Sequence, residues 1–372
     1  MKINGISIYK THMPYVGGEY VWGAGNRIAI AKATVVVIGT DAGLSGCGEF
    51  TPSGENYMEA HSEGVEAAAC LFAPVLLGED ARQVDKIDRL MDHTIQGHGY
   101  AKAPFIAACW DLLGKASDQP VWMLLGGKLT DGAPMYRVAP QKPVEETKIE
   151  MEQHRANGYR QFQIKVGSDW TNDVDRIRQT VPLLMPGEKA MADANQGWRV
   201  DNAIRVARAT RDLDYILEQP CKTYEECQQV RRLTDLPMKL DGCLTDMRMA
   251  HRIVQDKGAE MCCLKISNLG GLSKARKVRD YLVENRLPVV AEDTWGGEIT
   301  TAAVAHFAAS TPEEFLINST DLHNYNTRST GIGGPSTADG KLFASDTPGL
   351  GVELDFDSLG APVAVYGESN KE

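Results

Sequence analysis

Apolar and polar positions alternate through ISIYKTHM, residues 6–13, and again through Lys32 to Gly39 and Leu44 to Phe50. The last two runs flank the turn-like Thr40-Asp41-Ala42-Gly43, so this part predicts an antiparallel meander. From about His61 to Ser117 the apolar spacing becomes three and four residues, as in VEAAACLFAPVLL and APFIAACWDLLGKA, which predicts helices. Pro120 and the pair Gly126-Gly127 then mark a boundary. From Ala133 short apolar runs alternate strictly with amphipathic stretches. MYRVAP, QFQIKV, KAMAD, DYILE, MKLD, EMCCLK, LPVVAED and EFLIN read as eight strands. VDRIRQTVPLL, TYEECQQVRRL, MRMAHRIVQD and GLSKARKVRDYLVEN read as helices between them, and Thr223 to Glu226 opens one with a capping-box pattern.

The first part is therefore α+β, and the second is a βα series that closes into a barrel or winds into an open sheet. Two observations favour the barrel. Ionisable residues follow nearly every strand, whereas an open sheet concentrates them at one switch point. No GxGxxG or Walker-type loop follows the first strand. GIGGP at 331–335 opens no helix and reads as a turn. The expected organisation is an α+β domain over 1–128, a barrel over 129–325, and a tail over 326–372 that returns to the first domain. Two Gly- and aromatic-rich segments, 17–26 and 51–57, have the composition of lid loops.

The chemistry sits at the strand ends. Lys165, Asp193, Glu218, Asp241, Lys265 and Asp293 follow one another at intervals of 28, 25, 23, 24 and 28 residues, about one strand, one helix and two loops. All six are thus placed on one rim. Asp193, Glu218 and Asp241 end three consecutive strands. Carboxylates so crowded repel unless a cation lies among them, and an all-oxygen set suits Mg²⁺ or Mn²⁺. The alternative is that each pairs with a Lys or Arg of the chain. Lys165 and Lys265 end strands 2 and 6, across the barrel from each other. Near a cation and partly desolvated, a lysine can act as a base. Such a rim suits removal of an α-proton from a carboxylate substrate. Trp295 is a candidate apolar wall; Tyr57, Trp22 and Glu49 are candidate substrate contacts from the lid region; Asp293 is a candidate partner of Lys265 or of a substrate ammonium. His98 and His306 read as structural.

Bulk properties narrow the partners. The chain has 372 residues, 43% of them hydrophobic and 24% charged, as in a folded globular protein of more than one domain. A net charge of −11 argues against nucleic acid or an anionic membrane surface. There is no 18-residue apolar run and no secretory h-region. Eight scattered cysteines with no CxxC pair read as buried hydrophobes in a reducing cytoplasm.

APFIAACWDLLGKASDQPVWMLLGG, residues 103–127, resembles the helix-and-linker signature of the mandelate racemase and muconate lactonizing enzyme group, in the enolase superfamily. Asp193, Glu218 and Asp241 match that group's metal ligands, Lys165 the second lysine of its KxK motif, and Lys265 its strand-6 lysine. The resemblance implies a capping domain over a modified (β/α)7β barrel, Mg²⁺ as cofactor, and a homo-oligomer, dimer or octamer. Two positions depart from the pattern: Gln163 stands where the motif has its first lysine, and Gly242 where Glu is usual after the third ligand. QIKVG, ADANQGW, LEQPC, LKISNLGG and EDTWGGE are most similar to enzymes of the group that act on proline derivatives. They imply dehydration of cis-3-hydroxy-L-proline, or 2-epimerisation of a proline derivative or betaine by the same two lysines. Asn318 to Leu322 carries no aromatic for a quaternary nitrogen but offers Asp321 for a secondary ammonium, which favours hydroxyproline. A reading of another class, a non-catalytic binding protein on a decayed barrel, rests on Gly242.

Overall fold

In the first strand, Ile3–Pro14, buried Ile6 and Ile8 join Val36 and Ile38 of Ile30–Thr40 in one core cluster. The two strands pair antiparallel, and Ser45–Phe50 pairs with the second of them. The computed structural model describes residues 1–139 and 143–368. Helices Ser62–Leu76, Val84–Thr94 and Gly99–Ser117 cover this sheet, with Phe72 and Phe105 meeting edge to face at 5.4 Å. Gly48 shows how close the cover lies. A Cβ there would stand 1.9 Å from the Pro104 carbonyl oxygen, so any side chain would push the helix off the strand. Gly99–Ser117 is apolar nearly all round because its far side meets the barrel. There Trp110 Nε1 donates to Ser273 Oγ at 3.0 Å.

Eight parallel strands form the second sheet in sequence order: Tyr136–Ala139, Gln161–Lys165, Lys189–Asp193, Ile216–Glu218, Met238–Leu240, Met261–Lys265, Val289–Glu292 and Leu316–Ser319. They are called barrel strands 1 to 8 below. A parallel bridge from Met135 to Ser319 closes the barrel. Helices follow the first seven strands, and a short 3-10 turn, Leu322–Tyr325, follows the eighth, so the fold is a modified (β/α)7β barrel. The capping box forms: Thr223 Oγ1 accepts from the Glu226 amide at 3.2 Å, and Glu226 Oε2 accepts from the Thr223 amide at 3.0 Å. All eight cysteines are free thiols. Among the described residues no helix is long and apolar enough to cross a membrane.

Three readings change. Strand MYRVAP is observed over Tyr136–Ala139, and its residue 140 lies outside the described residues, as do 369–372 of the tail. GIGGP is not a plain turn, because Gly331–Gly333 forms a short antiparallel ladder with Val352–Leu354. A backbone ladder needs no side chains, so apolar patterning does not reveal it. Segment 17–26 contains most of a hairpin, Tyr20–Trp22 paired with Asn26–Ile28. Ala364–Gly367 pairs with the first strand of the chain.

His306, buried on helix Glu298–Ala309, ties three segments together. Its Nδ1 accepts from the Trp122 amide at 3.2 Å, and its Nε2 donates to the Leu350 carbonyl at 3.1 Å. Burial pushes its pKa down to about 4. The unfolded chain, with a histidine near 6.5, therefore binds the extra proton first, and stability is lost as pH falls from 6.5 toward 4. At roughly 1.4 kcal/mol per pH unit this reaches about 3 kcal/mol. Thermal melts across that window should show the slope, and His306→Gln should flatten it.

Candidate active site

Register sets the rim. Lys165 lies beside Asp193, Asp193 beside Glu218, and Lys265 beside Glu292 on neighbouring strands. Side chains alternate across a strand, so residues two apart share a face. Gln163 with Lys165, Lys239 with Asp241, and Cys263 with Lys265 therefore point inward as pairs.

Each of the three candidate metal ligands faces a lysine. Lys165 Nζ donates to Asp193 Oδ2 at 2.6 Å, and Asp193 Oδ1 accepts from the Asn195 amide at 2.8 Å. Lys265 Nζ lies 2.6 Å from both oxygens of Asp241. Glu218 Oε2 accepts from Gln163 Nε2 at 3.0 Å, and its Oε1 lies 2.7 Å from Lys239 Nζ. All are buried, so pairing dominates their protonation. Burial alone would lower Lys165 and Lys265, but Asp193 and Asp241 raise them well above the usual lysine range. Burial would raise Asp241, but Lys265 and Lys239 hold it at about 2. Glu218 is different: burial and the Asp193 carboxylate push it up to about 7 despite Lys239. The acid cluster is short of positive charge at Glu218.

These residues fit a hard divalent cation. Asp193, Glu218 and Asp241 offer only oxygen, from three adjacent strands. Gln163 Oε1 and Asn195 Oδ1, both in residues lining the cavity, are buried without a hydrogen-bond partner. The described residues whose donor atoms already lie within 4.8 Å of one another are a different set, Asp241, Cys263 and Glu292. Here the Cys263 thiol, pushed up by burial and by Glu292, stays protonated and donates to Glu292 Oε1 at 2.9 Å. We read that set as a hydrogen-bonded cluster, because a protonated thiol is no ligand for a hard cation.

The cavity above the rim measures about 60 Å³ and is lined by Lys165, Asp193, Asp241, Lys265, Asp293, Trp295, Tyr57 and Trp22 among others. Tyr20, Trp22, Trp295 and Tyr325 wall it, with Tyr20 and Trp295 5.3 Å apart and Trp295 and Tyr325 5.8 Å apart. Both lid segments close on the barrel. A Cβ at Gly23, next to Trp22, would stand 2.5 Å from the Ala194 carbonyl oxygen. The Tyr57 hydroxyl donates to Asp241 Oδ2 at 3.0 Å and accepts from Lys265.

Other candidates lie elsewhere. Asp321 is a correction: its carboxylate is fully buried, outside the residues that line the cavity, and held by Arg137 at 2.9 and 2.6 Å and by Asn324 at 2.8 Å. Asp293 lines the cavity, but it accepts from Ser267 and Thr294 rather than from Lys265, and burial raises its carboxyl to about 6. The strand-7 partner of Lys265 is instead Glu292, at 3.5 Å, which also accepts from Tyr136 Oη at 2.9 Å. Two adjacent acids end LPVVAED, and only register tells which one faces inward. Glu49 is structural: it accepts from the Gly297 amide at 2.7 Å and from Thr300, Thr51 and Thr330, docking the first domain onto helix Glu298–Ala309. His98 stands exposed at the start of Gly99–Ser117. Tyr20, Tyr325 and Lys239 were not singled out from the sequence. At Gly242 a Cβ would meet the end of the flexible Gln196 side chain, Nε2 at 2.3 Å, which at present fills that space.

Comparison with known proteins agrees with this architecture. Residues 25–126 match the mandelate racemase/muconate lactonizing enzyme N-terminal domain, and 146–358 match the enolase C-terminal domain-like family. A cis-3-hydroxy-L-proline dehydratase of Roseibium aggregatum is 42% identical over 98% of this chain and all of its own. A solved mandelate racemase/muconate lactonizing enzyme from Roseovarius nubinhibens superposes with a TM-score of 0.97 at 73% identity, covering both chains fully. A second enzyme described in those terms from the same organism, complexed with magnesium, superposes with a TM-score of 0.94 at 33% identity over 99% of this chain and all of that one.

Proposed function

We propose that this chain, which belongs to the mandelate racemase/muconate lactonizing enzyme group of the enolase superfamily, dehydrates cis-3-hydroxy-L-proline to 1-pyrroline-2-carboxylate. The reaction class is carried by Lys165 and Lys265, which enter one cavity from opposite strands of the barrel. The substrate rests on the relative that is 42% identical along nearly the whole chain.

Asp193, Glu218 and Asp241 would hold Mg²⁺, or Mn²⁺ in its place. When bound, that cation supplies positive charge for the substrate carboxylate and for the second negative charge that collects there once the α-proton leaves. The chain's own residues do the rest. In the cis isomer the hydroxyl and carboxylate share a face, so the α-proton lies on the face opposite the hydroxyl. With Asp193 and Asp241 engaged by a cation, their hold on the two ammonium groups would weaken, so one lysine can stand unprotonated and remove that proton while the other, still an ammonium, protonates the departing oxygen, which leaves as water. The enamine so formed tautomerises to the 1-pyrroline. Asp193 and Asp241 orient the two ammonium groups, and Tyr57 holds Lys265 from the lid side. Trp22 and Trp295 exclude water from the ring, and Asp293 lies at the cavity wall for the substrate's secondary ammonium.

One observation favours a second reading, 2-epimerisation of a proline betaine. An aromatic does follow barrel strand 8: Tyr325 reaches the cavity from the 3-10 turn and stands with Tyr20 and Trp295, a wall suited to a quaternary nitrogen. Proton NMR in D₂O with Mg²⁺ and a panel of proline derivatives separates the two. Dehydration predicts loss of the 3-hydroxyl signal from cis-3-hydroxy-L-proline. Epimerisation predicts deuterium at the α-carbon of a betaine with inverted configuration. Neither outcome with any α-amino acid would remove both.

A further inference from the structure

A third lysine lies in the acid cluster, and the two-lysine chemistry does not use it. Lys239 precedes Asp241 by two residues on barrel strand 5 and shares its inward face. It is fully buried. Its Nζ lies 2.7 Å from Glu218 Oε1, outside hydrogen-bonding geometry, so the contact is an ion pair alone. Around it stand Glu218, Asp241, Glu292 and the Cys263 thiol, with the Tyr136 ring centred 6.0 Å away. A buried ammonium is tolerated only where opposite charge faces it, so this lysine belongs to the site's electrostatics rather than to core packing.

The position matters because of Gln163. A lysine is expected at 163 from the motif, but the chain carries a neutral amide there, on the opposite oxygen of the same carboxylate. We infer that Lys239 is a positioning residue that re-supplies from strand 5 the positive charge missing at 163, clamping Glu218 and setting how strongly the cluster takes up a divalent cation. Four carboxylates, Asp193, Glu218, Asp241 and Glu292, face three lysines, 165, 239 and 265. Losing Lys239 removes one of the three positive charges that face these carboxylates. The metal-free cluster then repels itself more strongly, and a divalent cation is held more tightly.

The inference rests on the proposed metal site, and its test keeps the two separable. The full chain is stripped with chelator, titrated calorimetrically with Mg²⁺ alone, and melted with and without Mg²⁺. Lys239→Met should lower the metal-free Tm and tighten Mg²⁺ binding tenfold or more, so that saturating Mg²⁺ restores much of the lost Tm. The relocation variant, Gln163→Lys with Lys239→Met, should return the metal-free Tm and the Mg²⁺ affinity toward wild type. Gln163→Lys alone, which leaves Lys239 in place, should weaken Mg²⁺ binding tenfold or more and gives a readout should Lys239→Met fail to fold. Unchanged affinity in the single variants, or a relocation variant no closer to wild type than Lys239→Met, would overturn the inference. A wild-type chain that binds no Mg²⁺ at millimolar concentration sinks the metal reading instead. The metal-free melts then still decide whether charge at 163 substitutes for charge at 239.

Discussion

Lys165→Ala and Lys265→Ala should each lower kcat by roughly 10²- to 10⁴-fold, the range for losing a positioned general acid or base. The two variants should not fail alike. The variant lacking the base loses both dehydration and exchange of the α-proton with D₂O. The variant lacking the acid loses dehydration but still exchanges that proton, because the base and its charge stabilisation remain. A single set of D₂O spectra thus assigns which lysine faces which side of the ring. Each removal also leaves a buried carboxylate without its cation, Asp193 in one case and Asp241 in the other. Breaking a buried pair from one side costs about 3–5 kcal/mol. Methionine, which keeps most of the lysine stem, is the companion substitution, and circular dichroism must show a native fold before kinetics are compared. Wild-type turnover in both folded variants would sink the mechanism.

The second large effect concerns the three carboxylates. Dialysis against a chelator should abolish turnover, and Mg²⁺ should restore it. By linkage, cation at about a hundred times its Kd adds about 2.7 kcal/mol to stability, which a melt reads as a Tm higher by a few degrees. Asp241→Asn keeps the shape of the ligand while removing its charge. It should cost both Mg²⁺ affinity and Tm, because Lys265 loses both of its closest anionic contacts at once. Full activity after exhaustive chelation, or unchanged Mg²⁺ binding in Asp241→Asn, would exclude these residues as the metal site.

Much of this architecture was legible in the chain because its causes are local. The eight strand runs differ from their flanking helices in period, and the capping box links Thr223 to Glu226, only three positions on. The strand-end residues Lys165, Asp193, Glu218, Asp241 and Lys265 stand out as isolated charges after apolar runs. The misreadings share one cause, a partner distant in sequence. Asp321 looked available until Arg137, 184 residues earlier, was seen to hold it. Asp293 does line the cavity, but register sets Glu292, not Asp293, beside Lys265. Tyr325 was not singled out, because only the 3-10 turn after strand 8 brings it into the cavity.

By itself, then, the sequence determined the fold class, the order and approximate place of the barrel strands and the residues of the charged rim, because period, propensity and spacing act within a few residues of the chain. Only the tertiary structure decided how those charges pair, which lid aromatics wall the cavity and how small that cavity is. Those properties depend on distances between segments the chain visits far apart, and in a buried site a shift of a few ångströms decides whether a carboxylate serves a lysine, a ligand or the fold.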